Sequence, residues 1–209
     1  MSPFVKICGI CSRSDLEQIS ALKPNALGFI LWEKSKRYIA PEAVGQWETP
    51  PNIQRVGVFV NPSEAELRHA TKTARLDVLQ LHRVSSHWKI NRANFQGLEI
   101  WRALSPEEVF SHVTDHESRF KFDRLLLDSY DPKTVGGTGQ TCNWDQARKI
   151  VQSIETPILL AGGLSSDNVA EAIHQVQPWG IDVSSSVEIE PGTKDIAKVK
   201  AFISACRAS

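Results

Sequence analysis

The chain has 209 residues, 41% of them hydrophobic, with 24 basic and 24 acidic side chains. This size and composition are typical of one soluble globular domain, and we expect the whole chain, 1–209, to form it. A formal net charge of zero excludes a bulk attraction to nucleic acid or to an anionic membrane. There is no signal-peptide pattern and no apolar run of about 18 residues, so we expect a cytoplasmic protein.

Eight apolar runs of strand length alternate along the chain with patterns that begin helices. The predicted strands lie within 5–10 and over 26–31, 55–60, 76–82, 98–104, 122–128, 157–161 and 180–185. The predicted helices cover 12–21 and 41–47, begin near 61 and 105, and cover 144–154, 165–176 and 194–206. The segment 83–97 is expected to be irregular.

Strands that alternate with helices indicate a parallel sheet. Eight such units close naturally into a (β/α)8 TIM barrel, for which about 200 residues is the lower bound. An open doubly wound sheet is the alternative. The number of units, and the lack of a GxGxxG pattern at a helix start, favour an α/β fold of the single-domain barrel type.

Strand parity predicts which side chains enter the barrel, because alternate residues of a strand share a face. The outward face packs against helices, and the last inward residue reaches the catalytic mouth at the strand's C-terminal end. Apolar residues such as Val5 and Ile7 mark the outward face. The predicted mouth residues are Cys8, His82, Asp128 and Ser184, with Asp182 one layer below. Lys6 and Arg124 are expected deeper, where each can pair with a buried carboxylate.

Cys8 and Cys11 form a CxxC pattern, which is found in zinc sites and redox proteins. No second CxxC or histidine pair accompanies it, and Cys8 lies in a strand instead of opening a helix. We therefore expect no metal site. Cys8 alone is either a functional thiol or a small buried hydrophobe. Asp128 is more telling, since an acid that ends a leucine-rich strand before a glycine loop is poorly placed for core packing.

Three adjacent strand ends carry glycine- or serine-rich loops that favour phosphate binding through backbone N–H groups. The candidate phosphate ligands are Gly137, Thr138, Gly139, Gly162, Gly163, Ser184 and Ser185. Ordinary turn chemistry is the alternative for each loop taken singly. A basic loop over 35–37 is either solvated or a second anion site, in which Arg37 would bind a carboxylate.

A thiol, a carboxyl group and two anion pockets together indicate proton transfer without a cofactor. A thiol acts as a base only as thiolate, so the pKa of Cys8 is expected to be lowered by its surroundings. A carboxylic acid donates a proton only if its pKa is raised, as burial does. A Ser/His/Asp hydrolase is disfavoured because no GxSxG nucleophile elbow is present.

The sequence resembles the phosphoribosylanthranilate isomerase family along its whole length. The segments that carry the resemblance are Val5–Gly9, Gly57–Val60, Leu79–His82, Leu127–Asp128, Gly136–Gly139, Ala161–Leu164, Asn168–Val169 and Gly180–Ser185. The resemblance implies an enzyme of tryptophan biosynthesis that catalyses an Amadori rearrangement. N-(5-phosphoribosyl)anthranilate would become 1-(2-carboxyphenylamino)-1-deoxyribulose 5-phosphate.

The resemblance also implies roles for the site residues. Asp128 would be the general acid on the ring oxygen, and Cys8 the general base at ribose C2. Arg37 would hold the anthranilate carboxylate, the loops after strands six, seven and eight would bind the phosphate, and His82 and Asp182 would contact or orient the substrate. The expected partner is thus a phosphorylated small molecule, with no cofactor, no nucleic acid and no membrane. The chain is expected to be a monomer or a homodimer.

Two positions depart from the family pattern, and other functions stay open at this stage. Arg83 replaces a usual glycine, so we expect the loop after the fourth strand to differ. Ser186 replaces a frequent glycine in the last phosphate loop, where a serine would cost energy or reshape the loop if the position needs a positive φ. One alternative is another sugar-phosphate barrel, either an epimerase with metal ligands or the next synthase of the pathway with several active-site lysines. A non-catalytic phosphate-binding barrel is a further alternative, which would keep the anion loops but would not need both Cys8 and Asp128.

Overall fold

The computed structural model describes residues 2–85, 88, 90–109, 122–128 and 144–209. Its eight main strands form a closed parallel barrel in chain order, which confirms the predicted (β/α)8 architecture. The strands are β1 Phe4–Cys8, β2 Ala26–Ile30, β3 Gln54–Val60, β4 Val78–His82, β5 Glu99–Leu104, β6 Arg124–Asp128, β7 Ile158–Ala161 and β8 Gly180–Val183. Pairing of β1 with β8 closes the barrel.

Helices surround the barrel at the predicted places, with ends that differ by a few residues. They are α1 Arg13–Ala21, α2 Pro41–Gly45, α3 Glu64–Ala74, α4 Trp144–Ser153, α5 Val169–Val176 and α6 Ile196–Arg207, together with helical backbone at 106–109. Between β4 and β5 the described residues form a 3-10 turn, Arg92–Phe95, in the segment expected to be irregular. No helix among the described residues is long and apolar enough to cross a membrane.

Local capping explains where two of these helices begin. The Ser63 side chain accepts a hydrogen bond from the backbone N–H of Glu66, whose carboxylate bonds back to the Ser63 N–H. Asp195 accepts from the N–H groups of Ala197 and Lys198 at the start of α6. Each bond satisfies an N–H that has no partner within the helix, so the caps fix the α3 and α6 boundaries.

The buried apolar side chains form two clusters, one on each face of the barrel wall. Val5, Ile7, Leu125 and Leu127 belong to the outer cluster, between strands and helices. The inner cluster fills the barrel and consists of Cys8, Ala26, Val56, Val58, Val78, Trp101, Ala103, Leu126, Leu159 and Ala161. The parity prediction is therefore confirmed for β1 and β6, and Cys8 lies inside the barrel.

The two basic residues expected in the interior behave differently. Lys6 is fully buried and its Nζ lies 2.9 Å from Asp182 Oδ1, which confirms the predicted pairing with a buried carboxylate. For Arg124 the expectation of a deep ion pair is wrong. Its guanidinium lies 3.7 Å from Glu99, with both side chains a quarter to a third exposed, and stacks on Trp179. Arg124 is the first residue of β6, so it reaches the open N-terminal end of the barrel.

A β-hairpin that the sequence prediction missed follows β8. The predicted strand to 185 ends at Val183 instead, and a 3-10 turn, Ser185–Val187, leads into β9 Glu188–Glu190 and β10 Thr193–Lys194. These antiparallel strands meet at a Pro191–Gly192 turn, and Gly192 has φ 93°. The final helix therefore starts at Ile196 and not at 194, and the hairpin brings Glu188 and Lys194 to the mouth.

Candidate active site

Cys8, the last residue of β1, packs against Gly28 of β2, a position where any side chain would crowd the thiol. A Cβ on Gly28 would lie 2.7 Å from Cys8 Sγ, so the thiol would have to shift, and 3.0 Å from Lys6 Nζ, a tight contact. Cys8 pairs in register with Gly28 across the β1–β2 ladder and is 6% exposed. The absent side chain of Gly28 thus makes room for the thiol and the ammonium group together.

Lys6 and Asp182 lie opposite each other in register on β1 and β8. Burial alone would lower the pKa of Lys6, but the Asp182 carboxylate and the Cys8 thiol raise it above its ordinary value. Lys6 therefore carries its charge inside the barrel. Burial raises the pKa of Asp182, and the Lys6 ammonium opposes that rise. Lys6 thus places a positive charge one layer below the thiol of Cys8, with the Asp182 carboxylate as its partner.

The electrostatic surroundings of Cys8 differ from the sequence expectation. Burial raises the pKa of the Cys8 thiol; Lys6 and Lys194 oppose the rise, and Asp182 adds to it. The expected lowering of the Cys8 pKa is therefore wrong for the structure without a ligand, because the loss of hydration exceeds the attraction of the two cations. Cys8 is a neutral thiol at neutral pH in this state.

Asp128 is the last residue of β6 and pairs in register with Ala161 of β7. It shares the inward face with Leu126, an inner-cluster residue two positions earlier. Asp128 is partly buried and lies at the C-terminal end of the strand, which is the predicted location. The phosphate-ligand candidates Gly137, Thr138 and Gly139 lie outside the described residues.

His82 ends β4 at the same end of the barrel, and its Nε2 lies 2.8 Å from the Gln80 amide nitrogen. The Gln80 side chain is buried on the inward face beside it. Burial lowers the pKa of His82 to about 4, with further lowering from Lys6 and Arg83. His82 is therefore neutral at physiological pH and can donate or accept a hydrogen bond without carrying charge.

Arg37, the predicted carboxylate ligand, is held by a carboxylate of the chain itself. Its Nε and Nη2 donate to the two oxygens of Glu188 at 2.8 and 2.6 Å. Lys194 Nζ donates to Glu188 Oε1 at 2.8 Å and to the Ser184 carbonyl at 3.0 Å. A Cβ on Gly9, whose φ is 81°, would lie 2.9 Å from Arg37 Cδ and 3.1 Å from Ser184 Oγ. Arg37 thus lies at the mouth directly beside the end of β1.

The described phosphate-loop candidates form two connected turns. Gly162 and Gly163 both have positive φ, 89° and 65°, and no atom lies within 4 Å of a Cβ built on Gly163. Among the residues after β8, Ser185 is exposed, and the hydroxyl of Ser184 is buried with no partner among the described residues. The Ser186 hydroxyl donates to the Leu164 carbonyl and joins the two turns.

The two departures from the family pattern have different structural consequences. Arg83 has φ 54°, so it takes the left-handed conformation that glycine adopts without a steric cost. Ser186 is not among the residues with positive φ. The expected strain at Ser186 is therefore absent, and the serine contributes a hydrogen bond that glycine could not make.

The two cysteines of the CxxC pattern lie in different surroundings. Cys8 faces the barrel interior, and Cys11 lies in the loop before α1, where its Sγ donates to the Arg37 carbonyl at 3.3 Å. Both are free thiols. In the described part of the chain, no three His, Cys, Asp or Glu side chains cluster as a metal site would require.

A family model described as N-(5'phosphoribosyl)anthranilate (PRA) isomerase matches residues 5–205. The chain belongs to the PRA isomerase family. An N-(5'-phosphoribosyl)anthranilate isomerase from Geotalea uraniireducens is 41% identical over 201 residues, which cover 95% of this chain and 96% of that protein. PRA isomerase membership agrees with the resemblance carried by the strand-end motifs and favours the isomerase over the epimerase, synthase and non-catalytic alternatives.

Solved PRA isomerase structures share the barrel over its full length. One contains a PRA isomerase in complex with reduced 1-(o-carboxyphenylamino)-1-deoxyribulose 5-phosphate; it is 30% identical, with a TM-score of 0.83 and full coverage of both chains. A second contains monomers generated from the dimeric PRA isomerase of Thermotoga maritima, 29% identical, with a TM-score of 0.82 and full coverage of both chains. The barrel and its single domain are therefore those of the PRA isomerase family.

The structure brings most predicted residues to one end of the barrel and adds three that were missed. Cys8, Arg37, His82, Asp128, Asp182, Gly162, Gly163, Ser184 and Ser185 all lie at or just below the C-terminal ends of the strands. The missed residues are Gly28, Glu188 and Lys194. The sequence did hold a signal for two of them, because Pro191–Gly192 between short alternating runs is typical of a hairpin turn.

Proposed function

We propose that the chain catalyses the Amadori rearrangement of N-(5-phosphoribosyl)anthranilate, with Asp128 as general acid and Cys8 as general base. The observation that carries the proposal is the inward position of both residues at the C-terminal ends of β1 and β6. In a TIM barrel this end holds the catalytic groups. An acid and a thiol on different strands can then act on opposite parts of one bound sugar.

In the proposed reaction, the Asp128 carboxylic acid protonates the furanose ring oxygen, and the C1–O bond breaks. The ring-opened Schiff base acidifies the hydrogen on C2, which the Cys8 thiolate removes. The resulting enolamine takes up a proton at C1 and loses the proton of its C2 hydroxyl, which gives the ketone. Atoms are conserved overall, and the reaction needs no cofactor.

The proposed base is the Cys8 thiolate, and two positive charges near Cys8 favour its formation. Lys6 and Lys194 both oppose the rise that burial causes in the pKa of Cys8. The competent state of the enzyme therefore combines a thiolate at Cys8 with a protonated Asp128. In the unliganded protein only a small fraction of the molecules are in that state at neutral pH, because burial holds Cys8 neutral.

The proposed substrate contacts follow the chemistry of each end of the substrate. Arg37 binds the anthranilate carboxylate, and neutral His82 and Asp182 orient the sugar hydroxyls. The phosphate binds to the loops after β6, β7 and β8, through Gly137, Thr138, Gly139, Gly162, Gly163, Ser184 and Ser185. The positive φ angles of Gly162 and Gly163 and the open space at Gly163 support the assignment, since both allow close approach of an anion to the backbone.

The direct test is conversion of N-(5-phosphoribosyl)anthranilate by the purified protein, with the product identified by NMR. We expect turnover that a chelator does not reduce. Loss of activity with the chelator would contradict the cofactor-free reaction, and absence of any conversion would contradict the proposed function.

A further inference from the structure

Glu188 forms the centre of a charged cluster at the mouth, which we call the Glu188 cluster: Arg37, Glu188 and Lys194. The Glu188 side chain is 3% exposed and that of Lys194 is 0% exposed, whereas that of Arg37 is 23% exposed. Burial would raise the pKa of Glu188, but its hydrogen bonds with Arg37 and Lys194 outweigh burial and lower it. Glu188 is therefore ionised at neutral pH, and the cluster has a net charge of +1.

The geometry of the cluster divides the Arg37 guanidinium into two edges. Glu188 occupies the Nε–Nη2 edge with short bonds to both of its oxygens. No described residue bonds to Nη1, so the Nη1–Nη2 edge keeps its hydrogen-bonding capacity. A guanidinium binds carboxylates in this bidentate manner. One edge and one net positive charge match a single carboxylate on the substrate.

The backbone of Arg37 is also fixed on both sides. Its N–H donates to the Ser35 hydroxyl at 3.0 Å, and its carbonyl accepts from Cys11 Sγ at 3.3 Å. Lys194 donates a 3.0 Å hydrogen bond to the carbonyl of Ser184, a phosphate-ligand candidate after β8, and so links the cluster to that loop. Glu188 therefore connects the proposed carboxylate site with the proposed phosphate site.

We propose that Glu188 is a positioning residue that orients Arg37 for the substrate carboxylate and so makes the enzyme selective for a carboxylated aryl amine. The inference rests on the proposed function, because it assigns the Arg37 edge to the anthranilate ring's carboxylate. Without Glu188, two cations with no shared counter-ion repel each other, and the Arg37 side chain loses the bond that fixes its rotation.

The test compares two substrates in each variant: N-(5-phosphoribosyl)anthranilate and its aniline analogue without the carboxylate. The selectivity is the ratio of their kcat/KM values. We expect the wild-type protein to favour the carboxylated substrate by about 10- to 100-fold, the range for a charged hydrogen-bonded pair. Glu188→Gln should reduce this ratio about tenfold, mainly through KM of the carboxylated substrate, and leave the aniline analogue little changed.

Two further variants keep the test decisive. Glu190→Gln removes the same charge from an exposed position of the same hairpin, and it should leave the ratio unchanged. Glu188→Asp retains the charge that neutralises buried Lys194 but shortens the reach to Arg37. It should fold even if Glu188→Gln does not, with a ratio between those of the wild type and Glu188→Gln.

The outcomes separate the inference from the proposed function. An equal loss of activity towards both substrates in Glu188→Gln and Glu188→Asp would make Glu188 only a structural counter-ion of Lys194, and the inference would be wrong. A wild-type protein that converts neither substrate would overturn the proposed function and the inference with it. A wild-type protein that converts both equally would overturn the role of Arg37 and Glu188 but not the isomerase reaction.

Discussion

Lys6 and Asp182 form a buried ion pair of 2.9 Å one layer below the thiol of Cys8. The pair joins the first and last strands of the barrel and places the Lys6 ammonium, with its carboxylate partner, beneath the proposed base. Cys8 and Lys6 of β1 fill the space beside Gly28 of β2, so residues of β1, β2 and β8 pack together at this point. Several measurable properties of the protein depend on it.

Replacing Lys6 by methionine should affect both stability and the reactivity of Cys8. The change leaves the Asp182 carboxylate without its partner, at a cost of about 3–5 kcal/mol of unfolding free energy. It also removes a charge that lowers the pKa of Cys8, so the alkylation of Cys8 by iodoacetamide should require a higher pH. Urea unfolding and the pH profile of alkylation measure the two effects.

Lys200→Met is the matched control, because Lys200 is exposed on α6. It should change neither measurement. An alkylation profile of Lys6→Met that coincides with the wild-type profile would exclude an electrostatic action of Lys6 on Cys8.

The variants Cys8→Ser and Asp128→Asn test the proposed base and acid. Each should lower kcat about 10²–10⁴-fold, the usual contribution of a positioned acid or base, while circular dichroism shows an unchanged fold. Cys11→Ser is the control for the CxxC pattern, since its hydroxyl can still donate to the Arg37 carbonyl and activity should persist. Near wild-type turnover in Cys8→Ser or Asp128→Asn would remove that residue from the mechanism.

The pH dependence of activity should follow the titration of Cys8, and His82 should not titrate near neutrality. Since the pKa of Cys8 is raised by burial and the thiolate is the base, kcat/KM should increase as pH rises above 7. His82, with a pKa of about 4, should stay neutral by NMR down to pH 5.5. An inflection of the His82 ring signals near pH 6.5 would contradict the lowered pKa of His82.

The same shifts predict how stability changes with pH. The pKa of His82 is lower in the folded chain than its ordinary value of 6.5, so the unfolded chain binds the proton more readily. The contribution of His82 to stability is therefore complete above pH 6.5 and decreases as the pH falls towards about 4. Cys8 has a raised pKa in the folded state, and its contribution decreases only at alkaline pH.

Gly28→Ala should disturb the site through packing alone. The added methyl group would lie 2.7 Å from Cys8 Sγ and 3.0 Å from Lys6 Nζ, and overpacking of this kind costs about 1–3 kcal/mol. We expect a lower melting temperature and a marked loss of kcat.

Gly97→Ala is the control. A Cβ on Gly97 meets no atom within 4 Å but φ is 80°, so alanine should cost about 1 kcal/mol through backbone strain and leave kcat unchanged. Equal activities in the two variants would contradict the tight packing at Gly28.

The sequence predicted the barrel and most of the site because strand parity is a local property. Once eight strands are assigned, the period of two determines that Cys8 and Asp128 face inward. Other features depend on contacts between distant residues or on a missing side chain. Glu188 meets Arg37 across 151 positions. A glycine in the sequence, such as Gly28, does not indicate that neighbouring side chains fill the space beside it. Arg124 has the correct parity but lies at the first position of its strand, so it pairs at the rim.

The closure of β1 against β8 has a consequence for how the protein folds. Lys6 and Asp182 are 176 positions apart along the chain, so the first strand can complete its environment only when almost the whole sequence is present. Until then the ammonium of Lys6 has no carboxylate partner, and the first strand keeps an unpaired edge. Contacts of such long sequence separation slow folding, because the entropy of closing a long loop is lost before the contact forms. The catalytic end of β1 is therefore synthesised early but reaches its native surroundings only when β8 is in place.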